Sequence, residues 1–158
     1  MFEFDNYREL MPLVMAWLFE VESNILANGA ALTDIETRDA ISVGVQFPEK
    51  IRVLTVDKIS APDNPLLVQA GQETGLLSDT TVGRTVGYGI EVLKGESSRR
   101  LLRHEFRHVF QYEQAGSVEQ FTIEYIKSVF SSGYYNSTFE QDARAAEIPV
   151  DELDDKSN

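Results

Sequence analysis

The chain's two histidines stand four positions apart in RHEFRH, residues 103–108, with Glu105 directly after the first. On an α-helix, residues i and i+4 share a face, one side chain above the other. The flanking sequence supplies that helix. Leu101, Leu102, Phe106, Val109 and Phe110 form its apolar face, Ser97 or Ser98 caps its start, and Ala115-Gly116 ends it. His104 and His108 can then aim ring nitrogens at one cation about 2 Å away. Glu105 lies about 100° around the helix, within reach of a water on that cation but not a ligand itself. Two histidines under-coordinate zinc, and a catalytic site also needs a third protein ligand and one open position. The chain has no cysteine and no third histidine, so that ligand must be Asp or Glu. The competing account is an ordinary helix face, flanked by Arg103 and Arg107 paired with surface acids.

The rest of the chain predicts a mainly helical α+β domain. Leu10, Leu13, Val14, Trp17, Leu18, Val21 and Ile25 recur at helical spacing between Asn6 and Asn28. Thr33 with Glu36 opens a second helix to about Val43. Ile51, Val53 and Thr55 alternate as a strand. Residues 60–79, with two prolines and two glycines, predict mostly loop and a short helix near Leu66 to Ala70. TTVGRTVGYGIEVLKG, 80–95, predicts a strand or hairpin leading into the histidine helix. Ser117 with Gln120, and Thr138 with Gln141, cap two further helices, the last stopped by Pro149. This organisation predicts one domain over 1–150, with N-terminal helices and a strand in 1–80 and the metal-site core in 81–150. The acidic end, 151–158, is expected to be disordered.

Twenty-six acids against 14 bases give a net charge of −12, which repels nucleic acid and anionic membranes. Lack of cysteine excludes disulfides, thiol nucleophiles and Cys-ligated metals. The apolar run MPLVMAWLF, Met11 to Phe19, lacks a preceding basic region and is far short of a membrane span. It predicts a core-facing helix in a cytoplasmic protein.

LLRHEFRHVFQYEQAG, followed by YYNSTFEQDARAAE, resembles the HExxH zinc metallopeptidases with a glutamate third ligand, the gluzincin group. It is more similar still to compact HExxH domains in which a later N-x-x-x-E-x-x-A stretch supplies that glutamate, here Asn136, Glu140 and Ala143. The resemblance covers roughly residues 80–148 and implies a zincin-like fold with a small sheet before the HExxH helix. It implies one zinc per chain on His104, His108 and Glu140, with Glu105 as general base. A helix beginning at Thr138 agrees, placing Glu140 in its first turn, with Ala143, Ala145 and Ala146 small enough for close approach. Arg107 departs from the pattern inside the motif. Arg144 stands where larger gluzincins carry an outer acid, and Glu147 is the alternative third ligand.

Those parts imply a peptidase that hydrolyses peptide or protein substrates, with endo-, amino- and non-peptide amide hydrolysis all open. Tyr134 and Tyr135 are candidates for a donor to the oxyanion, or else two aromatics closing a turn. Thr85 to Leu93 is the candidate edge for pairing with substrate. Gly87 and Gly89 would allow close backbone approach there, or mark a bulge or hairpin. The cluster Arg99, Arg100, Arg103 and Arg107 forms a solvated helix face or receives a substrate carboxylate. A non-catalytic zinc-binding regulatory or interaction module is the alternative function, although it has no need of Glu105. A helical adaptor with an accidental motif is the third.

Overall fold

The computed structural model describes residues 4–149, and the expected acidic tail at 151–158 lies outside the described residues. The first helix, α1 (Phe4–Asn28), buries Leu18, Val21 and Ile25 on one face. Its bounds lie close to the Asn6–Asn28 helix that the spacing predicts, with Met11 to Phe19 inside it. Over Tyr7–Asn28 it is long and apolar enough, by length and composition alone, to cross a membrane, with a mean hydropathy of 1.4. Leu13, Phe19 and Leu26 on its other face are exposed. Next comes α2 (Asp34–Ser42), opened by the predicted capping box, in which Thr33 and Glu36 exchange two bonds of 3.2 Å.

After a single 3-10 turn at Pro48–Lys50 come β1 (Arg52–Val56), α3 (Pro65–Thr74), β2 (Gly83–Val86) and β3 (Gly89–Leu93). The helix α3 is about a turn longer than predicted. Asn64 caps it, and Gly75 ends it in the left-handed region at φ 79°. Gly71 does not break it, and Leu77 packs where its side chain would be, 2.3 Å from a Cβ placed there. The remaining helices are α4 (Arg99–Ala115), α5 (Val118–Ser132) and α6 (Thr138–Ala145). Together they form one α+β domain of six helices and a three-stranded sheet among the described residues.

The sheet order is β1-β3-β2, with β1 parallel and β2 antiparallel to the central β3. Val82 accepts from the Leu93 amide at 2.8 Å. In an antiparallel ladder this phase turns the N–H and C=O of Gly83 and Thr85 away from β3, toward the outer edge of β2. Ile51, Ile90, Val92, Phe106 and Val109 are fully buried and join the sheet to α4.

Ions fix the other side of α4. Asp39 of α2 accepts from Arg99 at 2.8 and 2.9 Å and from Arg103 at 2.9 Å. Arg103 is 4% exposed and also donates to Ser42 Oγ and the Ala146 carbonyl. Three members of the arginine cluster pair inward, Arg99 and Arg103 with Asp39 and Arg107 with Asp142, while Arg99 and Arg100 stay exposed and Arg100 pairs with Glu147. Removing one partner of a buried pair strands the other charge, typically at about 3 kcal/mol. Asp39→Asn is accordingly expected to lower the melting temperature by about 6–12 °C, as thermal denaturation would read it.

Candidate metal centre

The helix α4 has the predicted bounds. Ser98 Oγ accepts from the Leu101 amide at 3.0 Å, and Gly116 closes the helix at φ 92°. His104 and His108 therefore stack along one face, their Nε2 atoms 3.2 Å apart. Glu140, in the first turn of α6, brings Oε2 to 3.1 Å from His108 Nε2 and 3.6 Å from His104 Nε2. Ligands about 2.0–2.1 Å from a tetrahedral zinc stand about 3.3 Å from one another. These three separations straddle that value, so the three side chains could hold such an ion.

Glu140 Oε2 is also a buried side-chain oxygen without a hydrogen-bond partner. Buried carboxylate oxygens are costly to leave unsatisfied, and the oxygen's position between two imidazoles fits a cation there. Burial alone would raise the Glu140 pKa and lower those of both histidines. The proximity of carboxylate to rings outweighs it, holding Glu140 well below the usual carboxylate range and raising His108 to about 9 and His104 in the same direction.

The approach of α6 depends on a cap different from the predicted one. Thr138 is the first helical residue and its own amide donates to Ser128 Oγ of α5, at 3.2 Å. Ser137, fully buried, binds the same hydroxyl at 3.0 Å. The serine of α5 thus does from a distance what Thr138 with Gln141 was expected to do locally. Ala143 is fully buried and Ala146 packs against the core, as their size implied, while Ala145 faces outward.

Outer partners orient both rings. The Gln111 amide nitrogen donates to the Phe139 carbonyl and to Asp142, leaving its oxygen to accept from His108 Nδ1 at 2.8 Å. Glu147 Oε2 lies 3.3 Å from His104 Nδ1, on the far side of the ring from the cluster. Glu147 therefore takes the outer position rather than that of third ligand, seven residues after Glu140 instead of four. Arg107 pairs with Asp142 at 2.8 Å and donates to the Val43 carbonyl, so its charge points away from the cluster. Gln111 carries a local signal in its spacing, three residues after His108 on the same helix.

Glu105 is 4% exposed and accepts from Thr85 Oγ1 of β2 at 2.6 Å. Gly83, two residues earlier, makes room for it, since a Cβ there would lie 2.7 Å from Glu105 Oε1. Gly83, and the contact of Thr85 with Glu105, were missed because nothing near them in sequence marks contact with α4. Gly83→Ala should displace the Glu105 carboxylate while leaving metal content unchanged, and would reduce any turnover that depends on Glu105 by about 10-fold. Kinetics beside elemental analysis would show it.

The expected substrate glycines are elsewhere. Gly87 forms the β2–β3 turn at φ 60°, and a Cβ there would lie 1.6 Å from Glu22 Oε2. The carboxylate of Glu22 accepts from the Tyr88 amide in that space. Gly89 belongs to the central strand, pressed against Ile25. Both serve packing, and the sheet edge near the histidines is the half-buried outer side of β2, not the whole of Thr85 to Leu93. The tyrosines also separate. Tyr134, though itself partly exposed, lines the cavity beside Glu140, where desolvation and the nearby Glu140 and Glu105 raise its pKa. Tyr135 is exposed and stacks with Arg144 at 4.1 Å.

Comparison with protein-family models, with curated proteins and with solved structures finds no match to this chain.

Proposed function

We propose that the chain is a zinc-dependent metallopeptidase of zincin-like arrangement, holding one zinc on His104, His108 and Glu140. The observation that carries this reading is the convergence of three donor atoms 3.1–3.6 Å apart around a buried, unsatisfied carboxylate oxygen. Bound there, zinc would supply Lewis acidity to the scissile carbonyl and to the attacking water. Glu105 takes the proton from that water as it attacks, and passes it to the leaving amine. Thr85 holds one oxygen of Glu105, so the carboxylate is oriented before substrate arrives. Tyr134 keeps its proton through neutral pH and is the donor available to the developing oxyanion.

The substrate backbone adds to β2 as a further strand, meeting the outward amides of Gly83 and Thr85. Part of that edge is already taken, because Tyr112 donates to the Thr85 carbonyl at 3.2 Å. The reading is tested by zinc content per chain, followed by cleavage of a peptide library with Glu105→Gln as control. Protein that holds no zinc after reconstitution would sink it.

A further inference from the structure

The cluster of histidines closes one end of a cavity of about 200 Å3 whose other walls come from the first half of the chain. Val14, Trp17 and Leu18 of α1 and Leu67 and Ala70 of α3 line it, facing Ile126 of α5. An apolar cavity of roughly 150 Å3 accommodates benzene, so this one accepts a large aliphatic or aromatic side chain. One cation breaks the apolar wall. Arg84 of β2 lies with its guanidinium 5.4 Å over the Trp17 ring, one residue before the Thr85 that holds Glu105.

The charge of Arg84 is poorly matched inside the protein. One of its nitrogens donates to the Ser60 carbonyl. Glu91, its cross-strand partner, is fully buried and occupied by the amide and hydroxyl of Ser60. Among the described residues no carboxylate lies within ion-pair distance of the guanidinium, in contrast to Arg99, Arg100, Arg103 and Arg107. Burial accordingly pulls its pKa down, only partly opposed by Glu91 and Glu105. A guanidinium presents a fork of donors that matches a carboxylate with two parallel bonds.

We propose that Arg84 receives a carboxylate of the substrate while the adjoining cavity takes a large apolar group, so that the preferred substrates are peptides ending in a large apolar residue with a free C-terminus. This deepens the metallopeptidase reading and rests on it for the cleavage step. The recognition itself does not need the metal. A carboxylate from an acidic side chain offers the same chemistry, and the experiment separates the two sources.

Binding of N-acetyl-phenylalanine, its amide, and N-acetyl-glutamic acid α-amide is measured by calorimetry on zinc-loaded and metal-free protein, for wild type, Arg84→Met and Arg84→Lys. The wild type should prefer the free acid of phenylalanine over its amide by about 10- to 100-fold, and over the glutamic acid α-amide by a similar factor. Arg84→Met should abolish the preference while still binding the phenylalanine amide, and Arg84→Lys should restore part of it. Equal binding of acid and amide by the wild type overturns the proposal, and so does acid preference undiminished in Arg84→Met. Tighter binding of the glutamic acid amide overturns the C-terminal assignment. Loss of every ligand in both variants also overturns it, because Arg84 would then only shape the cavity. Should the wild type hold no zinc, the peptidase reading fails, while the metal-free measurements still decide the role of Arg84.

Discussion

Glu105→Gln is expected to hold zinc as the wild type does and to lose peptide hydrolysis by about 10²- to 10⁴-fold, the usual worth of a positioned general base. The substitution is nearly isosteric. Thr85 Oγ1, 2.6 Å from the carboxylate, can still donate to the amide oxygen, and the side chain stays 4% exposed against Gly83. The melting temperature should therefore change little. What the amide lacks is the capacity to take a proton at neutral pH. Loss of turnover with retained zinc separates a base from a ligand, since a ligand variant would lose both. Full activity in Glu105→Gln would remove Glu105 from the mechanism and leave the non-catalytic metal module as the better account. Elemental analysis and single-substrate kinetics on the same preparations decide it.

Much of α4 was legible because its signals are local. The cap at Ser98, the stop at Gly116 and the i, i+4 histidines all lie within one helix. Glu140 became identifiable only through a resemblance to known sequences, with helix spacing in support. Its position depends on Ser128 tying α5 to the start of α6, a contact between separate helices. The same limit applies to Glu147, which reaches His104 from 43 residues away. Alternation along residues 80–95 correctly signalled extended backbone. It carries no information about which strand lies outermost, so Gly87 and Gly89 were placed at a sheet edge, whereas the outer strand on that side is Gly83–Val86. The arginines of α4 looked solvated because their counter-ions, Asp39 and Asp142, lie in other helices. The cavity was illegible for a related reason. Its apolar walls read as ordinary core residues of α1 and α3, and only packing leaves space between them.

Glu140→Ala is expected to reduce zinc from about one per chain to near none, because it removes one of the three protein ligands and leaves two imidazoles. Zinc at about 1,000-fold above its dissociation constant stabilises a fold by about 4 kcal/mol. For a chain of this size that corresponds to about 8–16 °C in melting temperature, present in wild type and absent in the variant. The shift must also depend on pH. In metal-free protein Glu140 raises His108 from its ordinary 6.5 to about 9. A raised folded-state value means that the charged ring stabilises the fold fully below pH 6.5, and that this contribution disappears as pH climbs through 9. Zinc needs both rings neutral, so protons oppose it over the same window. The stabilisation by zinc should therefore be small at pH 6 and grow toward pH 9. Glu140→Ala, lacking the carboxylate that holds the protons, should lose both the zinc effect and most of the metal-free protein's decline in stability across that range. Calorimetric melting at pH 6, 7.5 and 9, with and without zinc, measures both. A zinc-induced shift that is equal at all three pH values would mean that the metal does not displace protons from these histidines, and the site would have to be sought elsewhere.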